Sequence, residues 1–243
     1  MRRRSLLAAG SLAAGAAMWP RRLRAEEAVD VLLVLAVDVS RSIDEDEAKL
    51  QREGYRGALS DPRVVEAIRG GSVGAIGVTY VEWAGIEYQR QVLPWMRIGS
   101  QVEAEAWSSA LAEAPRASLS WTSISGGIDF SLKVMADAPF EGTRKVIDVS
   151  GDGVNNSGPP VEPVRDRAVA EGVVINGLPI LNDQPSFGRR GSLTLDQYYA
   201  ESVIGGPGAF LVVAQDFEAF GQAVRRKLIR EIAGLSGPVV MYG

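Results

Sequence analysis

Three short stretches of the sequence gather oxygen-bearing side chains of the kind that bind metal ions. The stretch DVSRSID places Asp38, Ser40 and Ser42 on alternate positions, directly after the apolar run VDVLLVLAV. Thr122 stands before an amphipathic segment, and Asp152 follows another apolar run in SGDG. Two carboxylates and three hydroxyls, with no nitrogen or sulfur donor, are typical of a site for a hard divalent cation such as Mg²⁺, Mn²⁺ or Ca²⁺.

The composition excludes most other chemistry. The 243 residues include no histidine and no cysteine. Disulfides, zinc–thiolate sites, Ser-His-Asp triads, Cys-His dyads and histidine-bound metals are therefore excluded. A metal-assisted hydrolase that activates water is the enzymatic alternative, but Asp148 is the only candidate for its general base. The missing histidines and the lack of a clear base therefore argue against an enzyme.

Short apolar runs alternate with longer amphipathic segments along the chain, a pattern typical of an α/β fold. In the first run both the odd-numbered and the even-numbered residues are apolar, as in a central strand that is covered on both faces. The second and third runs are joined by a short turn, which predicts a hairpin and hence one antiparallel edge strand. We predict a doubly wound, mostly parallel six-stranded sheet with helices on both faces. The predicted strands cover residues 29–37, 72–83, 88–96, 145–149, 173–178 and 209–214.

This architecture predicts where the oxygen ligands meet. Ligands of open α/β sheets bind outside the carboxyl ends of the strands, where the strand order reverses. Alternate side chains of an extended segment point to the same side, so Asp38, Ser40 and Ser42 would converge if the chain stays close to extended there.

The first 25 residues differ from the rest of the chain. They carry six arginines and no acidic residue around an apolar stretch that is short for a membrane span. This pattern predicts a secretory signal cleaved after Ala25, and Arg3-Arg4-Ser5-Leu6-Leu7 resembles the twin-arginine type. An uncleaved amphipathic anchor is the alternative. We expect a periplasmic or secreted protein without stable membrane insertion after cleavage, and a single domain over residues 26–243.

The charge of that domain bears on its partners. The whole chain has 26 basic and 30 acidic residues, and without the six arginines of residues 1–25 the balance is 20 to 30, a net charge of −10. Nucleic acids and anionic membranes are therefore poor partners.

The motifs DVSRS, TSISGGI and SGDG occur in this order within the α/β pattern. Together they resemble the von Willebrand factor A (vWA) domain with its metal-ion-dependent adhesion site, over about residues 28–235. The stretches DVSGDGVNN, INGLPI, YYAESVIGGPGAF and RRKLIREI further resemble a bacterial exported vWA-like family of unknown function (DUF1194-like).

The resemblance implies that Asp38, Ser40, Ser42, Thr122 and Asp152 hold a divalent cation, most often Mg²⁺, directly or through water. It also implies an open position that an Asp or Glu of a protein partner fills, because two carboxylates only neutralise the ion. One position departs from the family pattern. Gly151 stands where a threonine usually precedes the second aspartate.

Each residue also has a simpler interpretation. Ser42, Asp44 and Thr122 precede helices and are typical N-caps, and Asp152 fits a plain turn. Asp38 is harder to explain in this way, since a carboxylate that ends a buried strand requires a partner.

Neighbouring residues extend these interpretations. We expect Asp148 to form a structural hydrogen bond, and Asn155 and Asn156 to be turn formers rather than residues of the site's rim. Trp121 is the one tryptophan that lies beside a predicted ligand.

Overall fold

The computed structural model describes residues 27–181, 193–235, 237 and 239–242. The predicted signal, and most of a polar loop predicted over residues 182–194, lie outside them. The strands are β1 (Glu27–Asp38), β2 (Ile76–Trp83), β3 (Gln89–Ile98), β4 (Phe140–Gly151), β5 (Val173–Pro179), β6 (Leu211–Val213) and β7 (Val240–Tyr242). The helices are α1 (Glu45–Leu59), α2 (Pro62–Arg69), α3 (Gln101–Glu113), α4 (Ile124–Ala136), α5 (Val161–Ala170), α6 (Leu195–Tyr198), which continues as a π-helical turn (Tyr199–Val203), and α7 (Phe220–Ala233).

The strands form one sheet in the order β3-β2-β1-β4-β5-β6-β7. All described neighbours are parallel except β2 and β3, which form the antiparallel hairpin at one edge. The predicted doubly wound, mostly parallel α/β fold is therefore confirmed.

Two short elements were missed. The sheet has seven strands rather than six, because β7 adds three residues beside β6. Three residues are too few to show a strand period in a sequence. The eight-residue helix α2 was also not predicted. Its start has a local signal, since Asp61 caps it and Pro62 occupies the first turn.

Each face of the sheet packs against its own helices. One core lies under α1, α2, α3 and α7, and includes Leu35 and Tyr55. The other lies under α4, α5 and the α6 segment, and includes Ala36 and Tyr199. Because successive strand residues point to opposite faces, the apolar run of β1 supplies both cores. In the described part of the chain no helix is long and apolar enough to cross a membrane.

The strand order reverses between β1 and β4. The first crossover leads from β1 to β2 on one side, while β4 pairs with β1 on the other, where Val37 lies opposite Ser150. In open α/β sheets this switch point is where ligands bind. Both strands end there in predicted ligands, since β1 ends at Asp38 and Asp152 directly follows β4.

Candidate metal centre

The chain turns sharply after β1. Ile43 N donates to Ser40 O at 3.1 Å, which closes a turn, and the Oγ atoms of Ser40 and Ser42 lie 2.9 Å apart. Alternate residues of an extended strand are about 6.5 Å apart, so the chain does not stay extended between Ser40 and Ser42, which was the condition given for their convergence. The side chains of Ser40 and Ser42 approach each other because the chain turns.

Asp152 joins this group from the neighbouring strand. Ser42 Oγ donates to Asp152 Oδ1 at 2.8 Å, across 110 residues of sequence. Ser40 N donates to Asp38 Oδ1 at 2.8 Å. The structure thus links the side chains of Ser40, Ser42 and Asp152 beside Asp38, at the switch point.

Thr122 lies on a loop that is tied to the loop after β4. Its backbone N donates to Asn156 Oδ1 at 2.8 Å, and its carbonyl accepts from the backbone N of Asn156 at 2.9 Å. Its Oγ1 is 3.6 Å from the position that a Cβ on Gly153 would occupy. The hydroxyl of Thr122 therefore faces the residue next to Asp152, and Asn156 serves as a tie between loops.

Burial and charge set the state of Asp38. Its side chain is 0% exposed, and its Oδ2 has no hydrogen-bond partner among the described residues. Burial, followed by the negative charge of Asp152, raises the pKa of Asp38 well above its usual range. Two carboxylates in such a position are stabilised by a cation between or beside them.

The capping interpretation applies to different residues. Asp44, not Ser42, caps α1, and its carboxylate accepts from the backbone of Asp46 and Glu47. Ser123, not Thr122, caps α4. Capping therefore leaves the hydroxyls of Ser42 and Thr122 unexplained.

Tyr199 is a part of the site that the sequence did not indicate. Its hydroxyl is fully buried and has no hydrogen-bond partner in the described part of the chain. A Cβ on Gly151 would lie 3.0 Å from this hydroxyl and 2.9 Å from Asp38 Oδ2. The tyrosine comes from the π-helical turn, 47 residues after Asp152 and without a motif that points to the site. It fills space that a residue larger than Gly151 would need.

Asp148 belongs to the opposite face. Its side chain points to the same face of the sheet as that of Val146, two residues earlier, which packs in the core under α1 and α7. The side chain of Asp38 points to the other face, like that of Ala36. Lys227 Nζ lies 2.6 Å from Asp148 Oδ1 and also pairs with Glu231. Asp148 is thus held in a buried ion-pair cluster away from the candidate metal centre, where it cannot serve a water beside Asp38.

Trp121 lies at the rim of the site. Its side chain is 65% exposed, and it is the one non-glycine residue with a positive φ, 71°, in the described ranges. A bulky residue in this region is strained. Asn155, in the loop after β4, stabilises the start of α4, because its Oδ1 accepts a hydrogen bond from Ser125 N at 3.1 Å.

The donor set fits a hard divalent cation. Asp38 offers a buried oxygen without a hydrogen bond, and the adjacent hydroxyls and Asp152 carboxylate complete an all-oxygen set. Groups of three or more His, Cys, Asp or Glu side chains that could hold a metal do not occur among the described residues. Any ion here would therefore rest on two carboxylates and on hydroxyls.

Solved structures of vWA domains share this fold. The pilus adhesin SpaC from Lactobacillus rhamnosus GG is 16% identical, with a TM-score of 0.60 over 86% of this chain and 32% of its own. Proximal thread matrix protein 1 from the mussel byssus, with a zinc-occupied MIDAS motif, is 16% identical (TM-score 0.58; 84% of this chain, 46% of its own). A von Willebrand factor type A protein from Catenulispora acidiphila is 12% identical (TM-score 0.58; 84% and 43%). This chain thus spans less than half of each, and its fold is that of a vWA-like α/β domain.

The family follows from the sequence match. The model of the family described as "Protein of unknown function (DUF1194)" matches residues 28–236, and the chain belongs to this family. No curated protein matches the chain. The predicted resemblance to vWA domains and to this family is confirmed.

Proposed function

We propose that this protein is an exported, metal-dependent protein-binding module. Asp38, Ser40, Ser42, Thr122 and Asp152 would hold one divalent cation, with Mg²⁺ as the first choice and Mn²⁺ or Ca²⁺ as alternatives. When bound, the ion supplies a positive centre that accepts a carboxylate from an Asp or Glu of the partner. The observation that carries the proposal is the buried Asp38 Oδ2, which has no hydrogen bond within the described residues.

The accessibility of the site supports an external ligand. Asp38, Ser40 and Asp152 are buried, whereas Ser42 is exposed. A cation among them would therefore be bound by the buried residues on its inner side and would be accessible from the protein surface on the side of Ser42. Two carboxylates neutralise a divalent charge, so the ion remains an acceptor for a third.

Two similar structures come from proteins whose names describe attachment or matrix roles, a pilus adhesin and a byssal thread matrix protein. This likeness favours a binding role over catalysis. The position of Asp148 adds to it, because the one residue proposed as a general base is paired with Lys227 on the other face. Export through the twin-arginine signal of residues 1–25 would place the module in the periplasm or outside the cell.

The proposal is tested by capturing a partner. The chain over residues 26–243 is immobilised and exposed to a periplasmic extract of its source organism in Mg²⁺, and bound proteins are then eluted with EDTA. The Asp38→Ala variant, immobilised in the same way, is the control. We expect proteins that elute from the wild type and are absent from the variant. Retention that is equal on both surfaces and unaffected by EDTA would contradict the metal bridge.

A further inference from the structure

The Tyr199 hydroxyl is a buried donor that no contact among the described residues uses. The residue is 0% exposed, and its hydroxyl oxygen has no hydrogen-bond partner in that part of the chain. A phenylalanine would fill the same space without a polar atom, and a buried hydroxyl without a partner costs free energy. Packing alone therefore does not account for a tyrosine at this position.

Two glycines of the sheet make room for this side chain. A Cβ on Gly177, in β5, would lie 2.9 Å from Cδ1 of the Tyr199 ring. A Cβ on Gly151, the last residue of β4, would lie 3.0 Å from the hydroxyl oxygen. Glycine inside a strand weakens it and often marks the close approach of another group. The ring thus lies against β5, and the hydroxyl reaches the end of β4.

An acceptor without a donor borders the same space. Asp38 Oδ2 would lie 2.9 Å from the Cβ on Gly151, and it is buried without a hydrogen-bond partner within the described ranges. A carboxylate oxygen has two lone pairs, so this atom can bind a cation and accept a hydrogen bond at the same time. The Tyr199 hydroxyl is therefore placed to serve the first predicted metal ligand.

The hydroxyl keeps its proton at neutral pH. Burial, followed by the negative charge of Asp38, raises the pKa of Tyr199 well above its usual range. Carboxylates that hold metal ions are oriented by hydrogen bonds, and the loss of such a partner weakens metal affinity by about 10- to 100-fold. Ser40 N supplies one of these bonds to Asp38 Oδ1 at 2.8 Å. A second donor would fix the other oxygen.

We propose that Tyr199 is a positioning residue of the candidate metal centre, whose hydroxyl donates a hydrogen bond to Asp38 Oδ2, directly or through one water molecule, when Asp38 binds the cation. The inference rests on the proposed function and adds a residue to that same site. It also accounts for the two glycines, because Gly177 leaves space for the ring and Gly151 leaves space for the hydroxyl.

Calorimetric titration of Mg²⁺ into Tyr199→Phe tests this proposal. Phenylalanine keeps the ring against Gly177 and removes only the hydroxyl oxygen. We expect the affinity for Mg²⁺ to fall by about ten-fold relative to the wild type. Urea unfolding in EDTA should show the variant to be at least as stable as the wild type, because a buried hydroxyl without a partner is removed. A purely structural role of the hydroxyl would not weaken metal binding while leaving the metal-free fold intact.

Tyr80→Phe is the matched control. Tyr80 is also buried, but it lies in the other core, under α1, α2, α3 and α7. Loss of its hydroxyl should leave the affinity for Mg²⁺ unchanged. Near-ultraviolet difference spectra give a second measurement. Addition of Mg²⁺ should produce a tyrosine signal in the wild type and in Tyr80→Phe, and this signal should be absent from Tyr199→Phe.

The outcomes separate this inference from the proposed function. Equal affinity of Tyr199→Phe and the wild type for Mg²⁺ would overturn the role of Tyr199 and leave the metal centre. An equal loss of affinity in Tyr80→Phe would also overturn it. Metal binding that depends on Tyr199, with the same proteins captured by the wild type and by Asp38→Ala, would keep the inference and overturn the metal-bridged partner. Absence of Mg²⁺, Mn²⁺ and Ca²⁺ binding by the wild type would overturn both.

Discussion

Asp38 Oδ2 and the Tyr199 hydroxyl both border the space beside Gly151, where a Cβ would be 2.9 Å from the first and 3.0 Å from the second. Both oxygens are buried, and neither has a hydrogen-bond partner among the described residues. The vWA motif that the sequence resembles usually has a threonine at this position, whereas this chain has a glycine that lies beside a tyrosine from a distant segment. The space around Asp38 is thus set by Gly151 and Tyr199 together.

Gly151→Ala is expected to disturb the metal centre. The added Cβ forces Asp38 or Tyr199 to move, which should destabilise the fold by about 1 to 3 kcal/mol and weaken Mg²⁺ binding. Gly153→Ala is the control, since its Cβ would meet nothing closer than Thr122 Oγ1 at 3.6 Å. Urea unfolding and isothermal titration calorimetry measure the two effects. Equal behaviour of the two variants would refute the packing explanation.

Asp38→Asn should have opposite effects with and without metal. In EDTA it removes a buried negative charge next to Asp152, so we expect the free energy of unfolding to rise by roughly 1 to 3 kcal/mol. In Mg²⁺ the wild type should gain about 2.7 kcal/mol at a concentration 100 times the Kd, and the variant should not. Thermal denaturation in both buffers measures this. Asp46→Asn, at an exposed position, should behave as the wild type.

Trp121 allows backbone strain and side-chain contact to be separated. Trp121→Gly should stabilise the fold by about 1 kcal/mol, because glycine adopts a positive φ without strain. Trp121→Ala keeps the strain and should leave stability nearly unchanged. Both should weaken partner binding by about ten-fold or more if the exposed ring contacts the partner, without changing Mg²⁺ affinity. Partner binding equal to wild type in both variants would exclude Trp121 from the interface.

The buried Asp148 cluster should make stability depend on pH. Burial raises the pKa of Asp148 to about 7, while Lys227 opposes the shift. The folded state therefore holds a proton that the unfolded state has released, so this stability is fully present below the unfolded pKa, near 3.8, and is lost as pH rises through about 7. Asp148→Asn should remove the loss.

Urea unfolding in EDTA at about pH 5 and about pH 8 measures this effect as the difference between the two proteins. We expect the wild type to lose on the order of 1 to 3 kcal/mol more than the variant over this interval. Parallel stability curves would mean that Asp148 does not titrate there.

We expect export to depend on the twin-arginine pair of the predicted signal. Replacing Arg3 and Arg4 by lysine should leave the precursor in the cytoplasm, because the export machinery recognises the arginine pair specifically. Cell fractionation and immunoblotting check this, with Arg21→Lys and Arg22→Lys as the control. Normal export of the double-lysine form at positions 3 and 4 would assign another route.

The α/β class and the location of the candidate metal centre could be predicted because their signals are local. A run in which odd- and even-numbered residues are both apolar indicates a central strand. Asp38 at the end of this run indicates a candidate metal ligand at the edge of the sheet where the strands have their carboxyl ends. The course of the chain after Asp38 could not be predicted, because the turn at Ser40 depends on contacts with Asp152 and with the segment at Leu119. The strand β7 was missed because its position is decided by pairing with β6.

The sequence by itself determined the strand periodicity, the all-oxygen donor set and the absence of histidine and cysteine chemistry, since these follow from residue types and spacing. Tertiary structure alone decided that Tyr199 would lie beside Gly151 and that Asp148 would face Lys227 rather than Asp38. The physical reason is the range of the interactions. Side-chain alternation and capping act within a few residues, whereas packing and charge pairing join positions that only the folded chain brings together.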